Sequence, residues 1–193
     1  NADFVAFVDS VADKALVTEG DVAEVMADDL SAFISKTGEN VKIRRSEKYT
    51  VSGTGKVASY IHMGGKVGVL LEVACGKAET TENAEFVEMV KDITLQIAAV
   101  APKWLDRSVV PEADIAAERE IYAKQMEGQN KPANILEKII DGKINKFFTE
   151  NCLVDQIFVK DSELTITKLI AKVAKACGDE IKIVRYTRYQ LGA

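Results

Sequence analysis

Histidine occurs once in the 193 residues, at His62, so a Ser-His-Asp or Cys-His catalytic set could be built around no other position. Nothing in the sequence places a nucleophile or a carboxylate beside it, and a strand residue at a sheet edge accounts for it as well. Cysteine is nearly as scarce. Cys75, Cys152 and Cys177 stand far apart, without CxxC or paired spacing, which argues against a zinc site or a disulfide framework and fits a reducing compartment. A basic excess is lacking too: 25 Lys and Arg against 30 Asp and Glu give a net charge of −5, which argues against nucleic acid as the main partner. No apolar run approaches the ~20 residues of a membrane span. Signal peptide and initiator Met are both absent, and the chain begins at what reads as a helix cap, so residues before Asn1 are expected. "SGTGK", Ser52 to Lys56, fails as a phosphate loop because Thr50 stands where Gly is required and Val57 where Ser or Thr is required. HExxH, EF-hand and dinucleotide fingerprints do not occur, and acid pairs such as Asp28 and Asp29 read as solvated. The chain is not read as an enzyme, and no cofactor or metal is expected.

What is present is an ordinary globular composition, 47% apolar and 28% charged. A helix is expected from Asn1, with Asp3 complementing the helix dipole and Phe4, Val8, Val11, Ala12 and Ala15 on one stripe. A second helix is expected from about Asp21 to the stop at Gly38. Three strands should follow as an antiparallel meander: "VKIRRSEKYTV", "KVASYIHM" and "KVGVLLEVAC", the last two joined by a Gly64-Gly65 hairpin. A helix from Asn83 runs to Pro102. "PEADIAAEREIYAKQMEGQ" and "PANILEKIIDGKINKFFTEN", split by "GQNKP", read as an antiparallel helical hairpin. A loop or short strand, a helix ending at Gly178 and a final strand complete the order.

The chain also repeats itself. "NADFVAFV" at Asn1 returns as "NAEFVEMV" at Asn83, and "GENVKIRR" at Gly38 returns as "GDEIKIVR" at Gly178. The two landmarks are 37 positions apart in the first copy and 95 in the second, and the difference of 58 is about the size of the helical hairpin with its flanking loops. The spacing predicts an α+β fold: a duplicated unit of helices packed on a short antiparallel three-stranded sheet, with an inserted helical coiled-coil hairpin. The expected halves are residues 1–62 and 63–193, with the insertion at about 111–151.

Five collinear segments, "NADFVA", "GENVKIRR", "VASYIHMGGKVGVLLEV", "NKPANILEKIIDGKINKFFTENCLVDQIFVKD" and "GDEIKIVRYTRYQLG", resemble elongation factor Ts, the bacterial and organellar nucleotide exchange factor for the translational GTPase elongation factor Tu. The resemblance covers essentially the whole chain and implies the core of a longer protein, without the small N-terminal helical module of the family. It implies a guanine nucleotide exchange factor acting in translation elongation, in the bacterial cytoplasm or an organelle matrix or stroma. It also implies partner contacts at the signature residues Asp3, Phe4 and Val5, and further contacts at Thr37, His62 and Met63. Phe4 would wedge into the GTPase beside its magnesium site and loosen the nucleotide phosphates, since Mg²⁺ neutralises phosphate charge. From periodicity alone Phe4 reads as core, and Phe86, its counterpart in the second copy, reads as core as well.

Two other readings come from the residues themselves. Arg44, Arg45, Arg185 and Arg188, interleaved with Tyr186 and Tyr189, would suit an RNA- or ribosome-binding sheet face, which a steep salt dependence would reveal. The helical hairpin could instead serve assembly, as a coiled-coil homodimer. No membrane and no direct nucleic-acid partner is expected under the exchange reading.

Overall fold

The computed structural model describes residues 1–129 and 131–192 as two compact units, Asn1–Thr50 and Val51–Ala193. Asn130, within the expected "GQNKP" turn, and Ala193 lie outside the described residues. Among the described residues no helix is long and apolar enough to cross a membrane.

The first unit holds three helices, α1 (Ala2–Val17), α2 (Val22–Val25) and α3 (Ala27–Thr37). The helix expected from Asp21 to Gly38 is thus broken at Met26, which closes α2, opens α3 and is itself 3% exposed. Asp21 caps α2 through a 2.8 Å bond from the Ala23 amide. Gly38 ends α3 in the left-handed conformation, φ 71°, where its amide donates to the Ile34 carbonyl at 2.8 Å. The stripe expected on α1 holds at Val11 and Ala15 and is displaced at its other positions. No residue of α1 is buried, and the partly shielded positions are Phe7, Val11, Ala15 and Thr18, whereas Phe4, Val8 and Ala12 are exposed. Both sets satisfy helical spacing, and the face that was chosen is the one that brings Phe7 onto the Phe33 ring of α3.

The second unit is a sheet with helices against it. Strands β1 (Gly55–His62), β2 (Val67–Cys75) and β5 (Ile181–Gln190) form an antiparallel sheet in the order β1-β2-β5, and β3 (Ile157–Phe158) pairs with β4 (Asp161–Thr165) as a separate ribbon. The α+β class with a three-stranded antiparallel sheet stands as expected, but its membership differs from the local meander. Residues 41–51 carry no strand, and the third place beside β2 belongs to β5. Central β2 has Val67, Val69, Leu71, Val73 and Cys75 all buried, and β5 matches it over its whole length, from Val67↔Gln190 to Cys75↔Ile181. A bulge between Glu72 and Val73 interrupts this pairing.

Helix α4 (Ala84–Val100) lies on this sheet and presents Phe86, Met89, Val90, Ile93 and Ile97 to the strand residues above and to Leu153, Phe158, Ile166, Leu169 and Val173. That 3.6-residue spacing is the core-facing stripe of the chain. The expected insertion is present as α5 (Glu112–Met126) and α6 (Ala133–Asn151), which contact one another through the Arg119–Asp141 ion pair and Lys143 over the Tyr122 ring. Helix α7 (Ile166–Cys177) ends at Gly178, φ 58°. Asp179 then ties this turn back to the segment that follows β2. Its carboxylate accepts from the Gly76 and Lys77 amides at 3.1 and 3.0 Å and from the Thr80 hydroxyl at 2.6 Å.

Candidate functional site

Within the first unit, the opening turn of α1 is set by its cap: the Asn1 side chain accepts from the Asp3 amide at 3.0 Å. Directly after it come Asp3, Phe4 and Val5, all exposed, with Phe4 at 44%. The Phe4 ring leans on Phe33 of α3, 6.3 Å between centroids and tilted by 52°, while Phe7 stacks on the same ring at 4.4 Å and 13°. Phe33 is the buried member of the three, at 9% exposure. Phe4 therefore has one face supported and the other outward. One turn along α3 from Phe33, the Lys36 ammonium lies 3.1 Å from the Asp3 carboxylate. Thr37 follows directly. Its hydroxyl donates to the Phe33 carbonyl at 2.9 Å and accepts from the Glu39 amide at 3.3 Å, which fastens the end of α3. The structure thus brings Asp3 and Phe4 beside the helix end that carries Thr37.

His62 and Met63 belong to the second unit, at the tip of the β1–β2 hairpin. The expected Gly64-Gly65 turn is there: the two glycines are the centre of the connection between the paired His62 and Val67, with φ of 64° and 94°, Met63 before them takes φ 51°, and the Gly65 amide donates to the His62 carbonyl at 3.2 Å. A non-glycine residue in the left-handed region is uncommon, so Met63 is held there by the turn, with its side chain 62% exposed. His62 is exposed, hydrogen-bonded through Nδ1 to the Tyr60 hydroxyl at 2.9 Å and stacked on the Tyr60 ring. Ile61, which the sequence reading passed over, is 66% exposed beside them and lies over Gly68, whose added Cβ would stand 3.5 Å from the Ile61 Cδ1. An isoleucine paired across a strand from a glycine was the signal available for it. Lys36 was passed over as well, because nothing in the sequence connects it with Asp3.

Phe86 supplies the internal control. It stands at the same place in the same motif, and it is fully buried at 0% exposure beneath the sheet.

Three residues of the basic and aromatic set on β5 make internal hydrogen bonds. Arg185 Nε donates to the buried Glu72 carboxylate at 2.7 Å, the Tyr186 hydroxyl to the Pro102 carbonyl at 2.9 Å, and Arg188 Nη2 to the Ala98 carbonyl at 3.3 Å. Burial pushes the thiols of Cys75 and Cys177 up, and that of Cys152 up to about 11, so they stay protonated at neutral pH and are poor nucleophiles.

Compared with known sequences, the profile of the family described as Elongation factor TS matches residues 1–193, the whole chain. Among curated relatives, a protein named Elongation factor Ts from Nitratiruptor sp. is 45% identical over 163 residues, covering 84% of this chain and 53% of the relative. Proteins of the same name from Clostridium kluyveri and Nitratidesulfovibrio vulgaris are 38% and 37% identical with 100% of this chain covered, corresponding to 65% and 67% of their own lengths. The chain thus spans between half and two thirds of the length of these relatives.

Proposed function

The chain belongs to the elongation factor Ts family, and we propose on that premise that it acts as a guanine nucleotide exchange factor, binding the GTPase elongation factor Tu and speeding release of GDP during translation elongation. The observation that carries the reading is the contrast between the two copies of one motif: Phe86 is sealed in the core, whereas Phe4, at the tip of α1, keeps 44% of its surface outward. An aromatic ring is suited to prying because it brings a large apolar area with few rotors. Its insertion beside the partner's magnesium site would displace groups that hold Mg²⁺, and loss of that charge weakens the grip on the β-phosphate. Asp3 and Val5 flank the ring and enter the contact with it.

Phe4 does not act alone. Burying one Phe side chain supplies roughly 1.5–3 kcal/mol, whereas a near-complete shift between two states takes about 5.5 kcal/mol of differential binding. Thr37 in the first unit and His62 and Met63 in the second supply further contacts, and the second half of the core grips the partner's β-barrel domains. The exposed apolar tip formed by Ile61 and Met63 supports that role for the hairpin.

The test is stopped-flow release of a fluorescent GDP analogue from elongation factor Tu at increasing concentrations of this chain. Acceleration is expected, and Phe4→Ala should remove most of it, by roughly 10- to 100-fold if the ring's ~1.5–3 kcal/mol is spent on the opened state. Full activity in that variant, or no acceleration by the unmodified chain at saturation, would overturn the reading.

A further inference from the structure

We infer that Lys36 is a positioning residue for the wedge: by holding the Asp3 carboxylate it fixes the first turn of α1, so that Asp3 and Phe4 meet a partner in one orientation. The inference rests on the exchange reading above and deepens it. α1 is a 16-residue helix without a single buried residue, so little but its contacts along α3 determines where its first turn points. Phe33 provides the platform, with Phe7 stacked on it and Phe4 tilted against it. Two rings resting on a third leave the turn free to rock about that support. The Lys36–Asp3 pair at 3.1 Å adds a second point of attachment, through the side chain of the residue whose amide the Asn1 cap already holds.

Both members of the pair sit where their helices favour them. Asp3 is in the first turn of α1, near the positive end of its dipole, and Lys36 is in the last turn of α3, near the negative end. Lys36 also lines the open groove of about 650 Å³ between α1 and α3, where Asp13 and Asp29 offer other carboxylates, and the bridge that forms is the one to Asp3. With side chains 65% and 55% exposed, the pair adds little to folding stability, so removing it leaves the fold intact. Its consequence is the population of binding-competent first turns: apparent affinity falls in proportion to the competent fraction.

The experiment compares Lys36→Met, which keeps the length of the side chain and removes its charge, with Lys36→Arg, which keeps the charge. Two readouts are taken: amide exchange at Asp3 to Val5 in the free protein, and acceleration of GDP release at subsaturating concentration. Lys36→Met should speed amide exchange in that turn and lower the acceleration about two- to fivefold with the melting temperature unchanged. Lys36→Arg should restore both, and the difference should fade at high salt. In a cycle with Asp3→Asn, the double variant should be no worse than Asp3→Asn alone. Independent, multiplying losses would mean that Lys36 touches the partner directly, and unaltered amide exchange in Lys36→Met would mean that it holds nothing in place. Either result overturns the positioning role while the unmodified chain remains active. An inactive unmodified chain would instead remove the exchange reading itself, and this role with it.

Discussion

The first turns of α1 and α4 are built from nearly the same words and come to opposite ends. Each is capped by an asparagine whose side chain accepts from the amide two residues on, at 3.0 Å in Asn1 and 2.9 Å in Asn83. An alanine, an acid and a phenylalanine follow in both. Yet α4 buries nine of its residues and α1 none. The difference lies in what each helix faces: α4 rests on the sheet and on α7, whereas α1 touches α3 along Phe7 and the groove beside it. Local sequence fixes where a helix begins. Whether its leading aromatic becomes core or contact depends on the surface that the rest of the chain lays against it.

The contrast is broken or sharpened most directly at the two phenylalanines. Phe86→Ala opens a cavity under the sheet and should destabilise the second unit by about 3–5 kcal/mol. Phe4→Ala removes a ring already nearly half exposed and should cost about 1 kcal/mol. Denaturant unfolding followed by far-UV circular dichroism reads both. In nucleotide release the order reverses: the Phe4 variant loses the acceleration, and the Phe86 variant keeps it wherever it remains folded. Equal destabilisation by the two substitutions would mean that Phe4 is core as well, as its periodicity suggests.

That periodicity shows where the sequence speaks and where it falls silent. The caps at Asn1 and Asn83, the stops at Gly38 and Gly178 and the paired helices α5 and α6 follow from chemistry within a few residues, and all were legible. The face of α1 was legible only at Val11 and Ala15, because Phe4, Val8 and Ala12 satisfy the helical repeat as well as Phe7 does, and only the ring of Phe33 decides between them. Strand order was hidden for a similar reason. Residues 41–51 alternate as a strand would, but β2 is paired by a segment more than a hundred positions away that matches its full length. Of the candidate site, the signature and the hairpin tip come from the family resemblance, whereas Lys36 became visible only through a contact between two helix ends.

The two matched stretches differ again directly after Gly38 and Gly178. Asp179 is held by the backbone amides of Gly76, Lys77 and Glu180 and by the Thr80 hydroxyl, while its counterpart Glu39 is exposed. The Thr80 bond, followed by the amides, holds the Asp179 carboxyl below its ordinary value near 3.8. A depressed carboxylate contributes stability that is complete above its unfolded value and is lost as the pH falls through the lower, folded one. Asp179→Ala should therefore lower the melting temperature at neutral pH by less than Phe86→Ala does. The gap to the unmodified protein should narrow only below about pH 4. Glu39→Gln should stay within about 0.5 kcal/mol of the unmodified protein across the range, as surface changes do. A gap that instead shrinks well above pH 4 would place the loss elsewhere than on this carboxylate.

The smallest effect is the most discriminating about why the copies differ. Both asparagine caps accept from the amide two residues on, and Asn83 accepts from the Phe86 amide at 3.3 Å as well, so Asn83→Ala and Asn1→Ala each remove a cap worth about 1 kcal/mol. In α4 that loss should appear in full in global unfolding, because the first turn carries Phe86 and cannot open without exposing the core. In α1 no buried side chain is coupled to the first turn, so the turn opens by itself. Asn1→Ala should leave global unfolding within a few tenths of a kcal/mol and show its effect only as about fivefold faster amide exchange at Asp3 to Val5. A first turn with no core behind it can open at no cost to the rest of the fold, which leaves the Asn1 cap and the Lys36–Asp3 pair as the contacts that keep Phe4 oriented, whereas in α4 the core itself does so.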